Sequence, residues 1–404
     1  MIQLKKFNLL VFIATLAALV TGFFFNEVPF VHLMVDEVSK ATLGALKLVS
    51  VPLIFFSILS TIEYFKEGDI FGKIIRPTVF YTILTTILAT LVALASYLII
   101  SPNRVILNNV ASLDNGLKSM DSFSLSTFII PDNMFRPFVE GNIFSVLLIT
   151  LLIYYGTIKV ERSKREFLAN LFSSIFAVLI KIVGLITYIL PVAIWAFVSQ
   201  IIFDIRDDNY EITPVLYYFA AVILSNIFHA TMTLPTLLKI KGISPIKLVK
   251  KMAPALFLGF VSRSSSATLP VTMDSAEKAG VNPLIARLTL PLCATVNMNA
   301  CAAFIFTTVT FVLEQNLVVM TPLSYLAIMG ISIIAAIGNA AVPMGCYLMA
   351  STILSSTGAS LNILGVILPI YTFIDMMETC FNIWSDSSIT AIIDKEVKLG
   401  NDIL

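Results

Sequence analysis

Long apolar runs separated by short polar segments dominate the first part of the chain. Six of these runs precede Lys239, and they are of the kind that crosses the roughly 30 Å hydrocarbon core of a bilayer, which needs about 20 apolar residues per helix. They are Phe7–Phe25, Leu46–Ile62, Val79–Ile100, Ile143–Ile158, Phe167–Phe203 (with Pro191 inside) and Val215–Leu238. The first run is too long for a signal-peptide core and lacks a cleavage site, so we predict a helix there.

The pattern changes after Lys251. The next apolar run, Met252–Val261, has only ten residues before Arg263 and three serines interrupt it. Ten residues cannot span a bilayer, so a re-entrant hairpin is predicted.

Two later segments are also interrupted. The run 284–313 is broken by polar residues at 295–299, and the run 325–354 is broken at 338–343, which mirrors the first hairpin. Paired interrupted segments in the later part of a chain are typical of midplane binding sites in carriers.

The last run, 361–393, contains polar side chains that repeat every three or four residues and so share one helix face. They are Asp375, Glu378, Thr379, Asn382 and Asp386. Ionisable residues at membrane depth are costly, and by default they indicate a functional site; satisfied structural hydrogen bonds are the alternative. Arg263 is the expected partner for one of these acids.

Composition supports a membrane protein. Hydrophobic residues make up 58% and charged residues 13%, against about 45–50% and about 25% in soluble domains. This excludes an ordinary soluble enzyme, a disordered protein and a disulfide-stapled secreted domain. The 26 basic and 25 acidic residues give no indication of nucleic-acid binding.

Charge and cysteine positions refine this picture. Basic residues are concentrated in the segments that are cytoplasmic if the N-terminus is cytoplasmic. We therefore expect a multi-pass protein of the inner (cytoplasmic) membrane with both termini inside the cell.

The four cysteines lie in apolar segments and lack the spacing of a metal motif: Cys293, Cys301, Cys346 and Cys380. We expect them to be small buried hydrophobic residues rather than disulfide partners.

Four motifs in this order resemble the glutamate transporter family (dicarboxylate/amino acid:cation symporters), and the resemblance covers essentially the whole chain. The segment 263–270, Arg-Ser-Ser-Ser-Ala-Thr-Leu-Pro, looks like that family's first hairpin tip. The segment 297–301, Asn-Met-Asn-Ala-Cys, resembles the break in its seventh helix. The segment 338–343 resembles its second hairpin tip, and Asp375, Asn382 and Asp386 match its last helix.

The resemblance implies an all-α polytopic membrane protein with eight transmembrane helices, two re-entrant helical hairpins, inverted repeats and an elevator mechanism in a homotrimer. Residues 1–62 and 130–214 would form the scaffold (first, second, fourth and fifth helices). Residues 63–129 and 215–404 would form the transport domain, with hairpins at about 245–282 and 323–358. The implied ligands are a small amino acid and sodium ions, with membrane lipid around the protein and no organic cofactor.

Site residues are carried over from the same motifs. The substrate set is Arg263, Ser264, Ser265, Ser266, Cys301, Ala341, Val342, Pro343, Asp375, Glu378, Thr379 and Asn382. The sodium set is Thr85, Thr86, Cys293, Thr295, Asn297, Asn299, Ala336, Ile337, Asn339, Asn382 and Asp386.

This chain departs from the family pattern at its sites. Asn299 stands where the family has Asp, and Thr82 where a tyrosine ligand is expected, so we predict fewer coupled sodium ions. Glu378 stands where dicarboxylate carriers have the arginine that clamps the side-chain carboxylate of the substrate. Two like charges about 4 Å apart repel by about 4 kcal/mol at an effective dielectric near 20. Cargo with a neutral, cystine-like or cationic side chain is therefore predicted.

Several alternatives remain open. Glu378 could pair with Arg263 and never contact cargo, or it could be protonated. The chain could then carry acidic amino acids or C4-dicarboxylates, coupled to sodium or protons. It could be a sensor that has lost transport. An intramembrane hydrolase would need a base beside one of the serines, and neither His32 nor His229 stands in a matching motif.

Overall fold

The structure is a computed structural model that describes residues 2–60, 69–102, 118–119, 133–140, 143–206, 213–339, 344–357, 359 and 361–397. Helices make up most of these residues. The first group comprises α1 (Ile2–Phe24), α2 (Pro29–Ser60), α3 (Asp69–Ile100), α4 (Arg136–Glu140), α5 (Ile143–Lys159), α6 (Arg162–Tyr188) and α7 (Leu190–Arg206).

The second group follows. It comprises α8 (Thr213–Phe228), a π-helical turn (His229–Thr233), α9 (Leu234–Ile240), α10 (Pro245–Ser262), α11 (Ser265–Lys278), α12 (Pro283–Val296), α13 (Asn299–Gln315), α14 (Pro322–Gly338), α15 (Gly345–Ser356) and α16 (Asn362–Glu396). Two short strands, β1 (Lys118–Ser119) and β2 (Val318–Val319), pair in parallel.

Four helical segments in the described ranges are long and apolar enough to cross a membrane. They are Lys73–Ile100, Thr213–Ile240, Pro283–Gln315 and Ile363–Glu396. Shorter apolar helices accompany them, as in Phe12–Phe24 and Pro322–Gly338. This architecture agrees with a polytopic helical membrane protein, while the count of eight crossings stays a prediction.

One predicted run is divided. The sequence 167–203 reads as one long segment, but α6 ends at Tyr188 and α7 begins at Leu190. Pro191 lies in the first turn of α7, where a missing backbone N–H costs no helical hydrogen bond. A proline inside a continuous helix would have removed one and clashed with the preceding turn.

Helix α13 is the centre of the molecule. Every residue from Asn299 to Glu314 is buried, so this helix is covered on all sides rather than on one stripe. It packs against α3, α8, α14, α15 and α16. Phe304, Phe306 and Phe311 are fully buried there and belong to the largest hydrophobic cluster.

The interrupted segments fold as two helical hairpins and one broken helix. Helices α10 and α11 form the first hairpin, which packs against α16, and α14 and α15 flank α13. Gly259 allows the first hairpin to approach α16 closely, because a Cβ there would collide with the side chain of Ile383. The break between α12 and α13 falls at Asn297 and Met298, within the predicted polar interruption.

The first helices pack mainly among themselves. Helix α1 lies against α7, while α2 contacts α5, α6 and α7. Contacts of α2 with α14 and α15, and of α7 with α16, join this group to the rest. The division into a scaffold and a transport domain, and their movement relative to each other, stay predictions.

Candidate functional site

The polar face of α16 is turned into the protein. Asp375 is 5% exposed, and Glu378 and Asp386 are each 2% exposed. Thr379 and Asn382, on the same face, are also buried. A stripe of carboxylates in an apolar helix needs protein, water or cations as neighbours, and here the neighbours are the two hairpins and the broken helix.

A small cavity of about 20 Å³ lies where these elements meet. It is lined by Arg263, Ser265, Met298, Cys301, Asn339, Cys346, Asp375, Glu378, Thr379 and Asn382. The volume holds about one water molecule, so an amino acid requires the walls to move. Four predicted substrate contacts lie outside the described residues: Ala341, Val342, Pro343 and the side chain of Ser266.

Arg263 reaches this cavity from the tip of the first hairpin. It adopts a left-handed backbone conformation (φ 55°) that ends α10, and its N–H donates to the Gly259 carbonyl. Ser264 then caps α11, because its side chain accepts a hydrogen bond from the Ala267 N–H at 3.2 Å. A non-glycine residue held in this conformation is typical of functional sites.

The charges in the cavity are arranged around Asp375. The guanidinium of Arg263 acts on Asp375 electrostatically, and the backbone of Met344 also bonds to this carboxylate. Glu378 lies one turn further along α16 and feels the charge of Asp375. Tyr371 donates a hydrogen bond to Glu378 Oε2 at 3.2 Å.

Three oxygens at the cavity lack a hydrogen-bond partner among the described residues. They are Asp375 Oδ2, Glu378 Oε1 and Asn339 Oδ1. Buried polar atoms in native proteins are almost always bonded, and an exception needs an explanation such as a missing ligand. The cavity therefore has the character of a binding site.

A second polar cluster lies deeper, between α3, the helix break and α16. Thr86 donates to Asn299 Oδ1 at 2.7 Å, and Thr85 contacts the side-chain oxygens of Asn297 and Asn299 at 3.3 and 3.5 Å. Asn297 donates to Asp386 Oδ1 at 2.8 Å. Several hard oxygens thus converge, as an alkali cation requires.

Asn299 also uses its amide nitrogen. That group donates to Ser385 Oγ at 2.7 Å and lies 3.3 Å from His229 Nε2. A carboxylate at this position would present only acceptors. The amide therefore replaces an anionic oxygen with a donor that two protein groups already satisfy.

The other predicted sodium ligands lie around the same breaks. Asn382 accepts from the Ala300 N–H at 2.9 Å, and the Cys293 carbonyl accepts from the Asn297 N–H at 2.8 Å. Thr295 is half-buried and donates to the Leu292 carbonyl. The second group lies at the end of α14, where the Asn339 N–H donates to Ala336 and Ile337 is half-buried.

The cysteines correct one expectation. Cys301 and Cys346, predicted to be separate hydrophobic residues, form a disulfide between α13 and α15 with a Cα–Cα distance of 5.4 Å. Helix packing brings them together across 45 positions of sequence, which no local pattern could indicate. Cys293 and Cys380 are free thiols.

The predicted site sets left several contributors out. Met298 and Cys346 line the cavity, and Tyr371 donates to the Glu378 carboxylate. Ser385 binds both asparagines of the deeper cluster. Ser385 directly precedes Asp386, which was a usable signal. Tyr371 is one turn before Asp375 and seven residues before Glu378, so helical spacing could also have found it.

Comparison with known proteins identifies the family. Residues 7–396 match the sodium:dicarboxylate symporter family. The chain belongs to that family. Its members are membrane transporters rather than enzymes, in agreement with the apolar helices described above.

Relatives within this symporter family carry names with different cargo. An L-cystine uptake protein of Bacillus licheniformis is 24% identical over 87% of this chain and 80% of its own length. Neutral amino acid transporter A of Homo sapiens is 26% identical, covering 85% and 73%. A C4-dicarboxylate transport protein of Burkholderia ambifaria is 22% identical, covering 96% and 92%. Similarity at this level leaves the cargo to be argued from the site.

Proposed function

We propose that this chain is a sodium-coupled symporter that imports an amino acid with a neutral, cystine-like or cationic side chain. The observation that carries the proposal is the buried pair Asp375 and Glu378, which faces the cavity together with Arg263. In this proposal Asp375 binds the α-ammonium group of the cargo. Ser265 and Ser266, with the hairpin backbone, hold its α-carboxylate.

The second acid argues against a dicarboxylate. A side-chain carboxylate of the cargo placed near Glu378 would meet a like charge, and the arginine that could clamp it in two hydrogen bonds is replaced. A cationic or neutral group avoids this repulsion. Cystine fits the charge pattern because its far end carries both an ammonium group for Glu378 and a carboxylate for Arg263.

Sodium coupling is supported by the deeper cluster of oxygens. Asp386, Asn382 and the carbonyls near Cys293 and Asn297 would coordinate one ion. A second ion would use backbone oxygens near Thr295, Ala336, Ile337 and Asn339. We expect the third site, at Thr85, Thr86 and Asn297, to be weak or lost because Asn299 supplies no anionic oxygen.

The transport cycle is proposed to be an elevator movement in a homotrimer in the cell membrane, with both termini cytoplasmic. Helices α1, α2, α5, α6 and α7 pack mainly with each other, which suits a scaffold. The buried assembly around α13 suits a moving unit that carries cargo and ions together.

Uptake into proteoliposomes with an imposed sodium gradient tests this function. Labelled cystine, serine and arginine serve as cargo, with unlabelled aspartate as competitor. We expect sodium-driven uptake of at least one of the three and inhibition by aspartate that is at least ten-fold weaker than by the preferred cargo. Accumulation without any sodium dependence would contradict the proposal.

A dicarboxylate carrier is the second candidate. It is favoured by the coverage of the C4-dicarboxylate relative and would require Glu378 to be protonated or held away from cargo. In the same competition assay this candidate predicts strong inhibition by aspartate or succinate. It also predicts that protons can replace sodium as the driving ion.

A further inference from the structure

The cavity brings together two cysteine sulfurs and one carboxylate, a combination that neither sodium binding nor amino-acid binding requires. One sulfur from Cys301, one from Cys346 and one carboxylate oxygen of Glu378 all lie within 4.8 Å of one another. All three residues are 2% exposed. They come from three separate helices, α13, α15 and α16, which hold them at one point.

We propose that, when the Cys301–Cys346 pair is reduced, these two sulfurs and Glu378 form a binding site for a soft divalent metal ion of the zinc or cadmium class. Zinc in proteins is held by thiolate sulfur at about 2.3 Å and by carboxylate oxygen at about 2.0–2.2 Å. Three protein ligands and one open position are the usual arrangement of an accessible zinc site.

The ligand set is oriented by its surroundings. Tyr371 donates to Glu378 Oε2, which leaves Oε1 without a partner among the described residues. The side-chain amide of Asn339 donates to the sulfurs of Cys301 and Cys346 at 3.0 and 3.3 Å. Such second contacts fix the ligands and raise metal affinity.

Ligand chemistry separates this site from the sodium sites, and size separates it from a bound amino acid. Soft thiolate ligands select zinc-like ions, whereas sodium needs hard oxygens such as those around Asp386. The cavity of about 20 Å³ has room for a single ion but not for an amino acid. Arg263 in the same cavity offsets part of the negative charge of two thiolates and a carboxylate.

Reduction of the disulfide precedes metal binding. Two molecules of a small thiol reduce the disulfide: its S–S bond breaks, the two protein sulfurs take up two electrons and two protons, and the thiols are oxidised to their own disulfide. The metal ion then binds as the two protein thiols release their protons. The oxidised pair has no thiolate to offer, so metal binding is switched by the redox state of the cysteines.

Cadmium binding to the purified full-length protein tests the proposal. The protein is reduced with a phosphine and titrated with Cd²⁺, and the thiolate-to-cadmium charge-transfer absorption is recorded. We expect one ion per chain for the reduced protein and none for the oxidised protein. Cys301→Ser and Cys346→Ser should each abolish the band, and Glu378→Gln should weaken binding at least ten-fold.

Cys380→Ser is the matched control, because Cys380 is a free cysteine on the same helix as Glu378 but does not line the cavity. It should bind cadmium like the wild type. An unchanged band in the Cys301→Ser, Cys346→Ser double variant would overturn the proposal, as would reduced wild-type protein that gives no band. The oxidised and reduced wild type keep the test decisive if a serine variant fails to fold.

Uptake provides a second readout. Because the ion and the cargo share Glu378 and the cavity, saturating cargo should weaken cadmium affinity at least ten-fold. Bound cadmium should in turn inhibit uptake by the reduced protein, and a chelator should restore that uptake. Cadmium binding that is indifferent to every cargo would contradict the shared site. The absorption measurement needs no transport, so failure of the proposed cargo class and failure of the metal site are distinguishable.

Discussion

Two polar clusters lie in the same buried helix assembly, and they differ in how completely their atoms are bonded. In the deeper cluster the asparagines bond to their neighbours: Asn297 bonds to Asp386 and Ser385, while Asn299 bonds to Thr86 and Ser385. One atom there, Nδ1 of His229, has no partner among the described residues. In the cavity between the hairpins, three side chains each leave one oxygen without a partner among the described residues: Asp375, Glu378 and Asn339.

This difference indicates what each cluster can do. A satisfied network is rigid and specifies one arrangement of the helices around it. Unsatisfied buried oxygens are costly, and three of them around one cavity favour a site that a ligand or a metal ion fills. We therefore expect cargo to bind at the cavity and sodium coupling to depend on the deeper cluster.

Asp375 should give the largest effect. Asp375→Asn removes a negative charge on which Arg263 acts and which, in the proposed function, binds the α-ammonium group of the cargo. Loss of one partner from a buried charged pair costs about 2–5 kcal/mol, which corresponds to at least about a 30-fold loss of uptake. Proteoliposome uptake is the measurement.

Asp394→Asn is the control for this substitution. Asp394 lies near the end of the same helix, outside the cavity, where it accepts a hydrogen bond from the Asn282 N–H. It should keep uptake within about two-fold. Equal losses in both variants would mean that Asp375 acts through stability of the helix alone.

Glu378 should give the next largest effect, on selectivity. Glu378→Gln removes one negative charge that a dicarboxylate would meet at about 6 Å, which is about 3 kcal/mol at an effective dielectric of 20. Inhibition by aspartate should strengthen by roughly 10-fold to 100-fold, while inhibition by arginine weakens. Competition curves measure both, and an unchanged ratio would show that Glu378 does not face the cargo.

Asn299 should give the smallest effect and tests the deeper cluster. Asn299→Asp loses the amide donor to Ser385 and His229, so without sodium the free energy of unfolding should fall by about 1–3 kcal/mol. Sodium should restore more stability than in the wild type, because the new carboxylate supplies an anionic ligand. Thermal unfolding with and without sodium is the measurement.

Asn316→Asp is a fitting comparison for this variant. Its side-chain amide bonds to the Val312 carbonyl just after α13 ends, away from the cluster. Sodium should stabilise it no more than the wild type. Identical sodium responses in the two asparagine variants would remove the support for a lost third cation site.

Local patterns predicted much of the architecture. The break at Asn297, the hairpin turn at Arg263 and the extent of the last helix follow from hydropathy and polar interruptions, which act over a few residues. The shared face of Asp375, Glu378 and Asp386 follows from the helical period alone. Family membership, expected from four motifs, is confirmed by the match over residues 7–396.

Other features depend on which helices become neighbours. The division of the run 167–203 into two helices and the pairing of Cys301 with Cys346 were not predicted. His229 and Ser385 meet Asn299 from helices that lie far apart in the chain. The sequence by itself determined the helices, their breaks and the acidic face, because those depend on local periodicity. Only the tertiary structure decided which oxygens are satisfied and which sulfurs meet, because such contacts join residues that packing alone brings together.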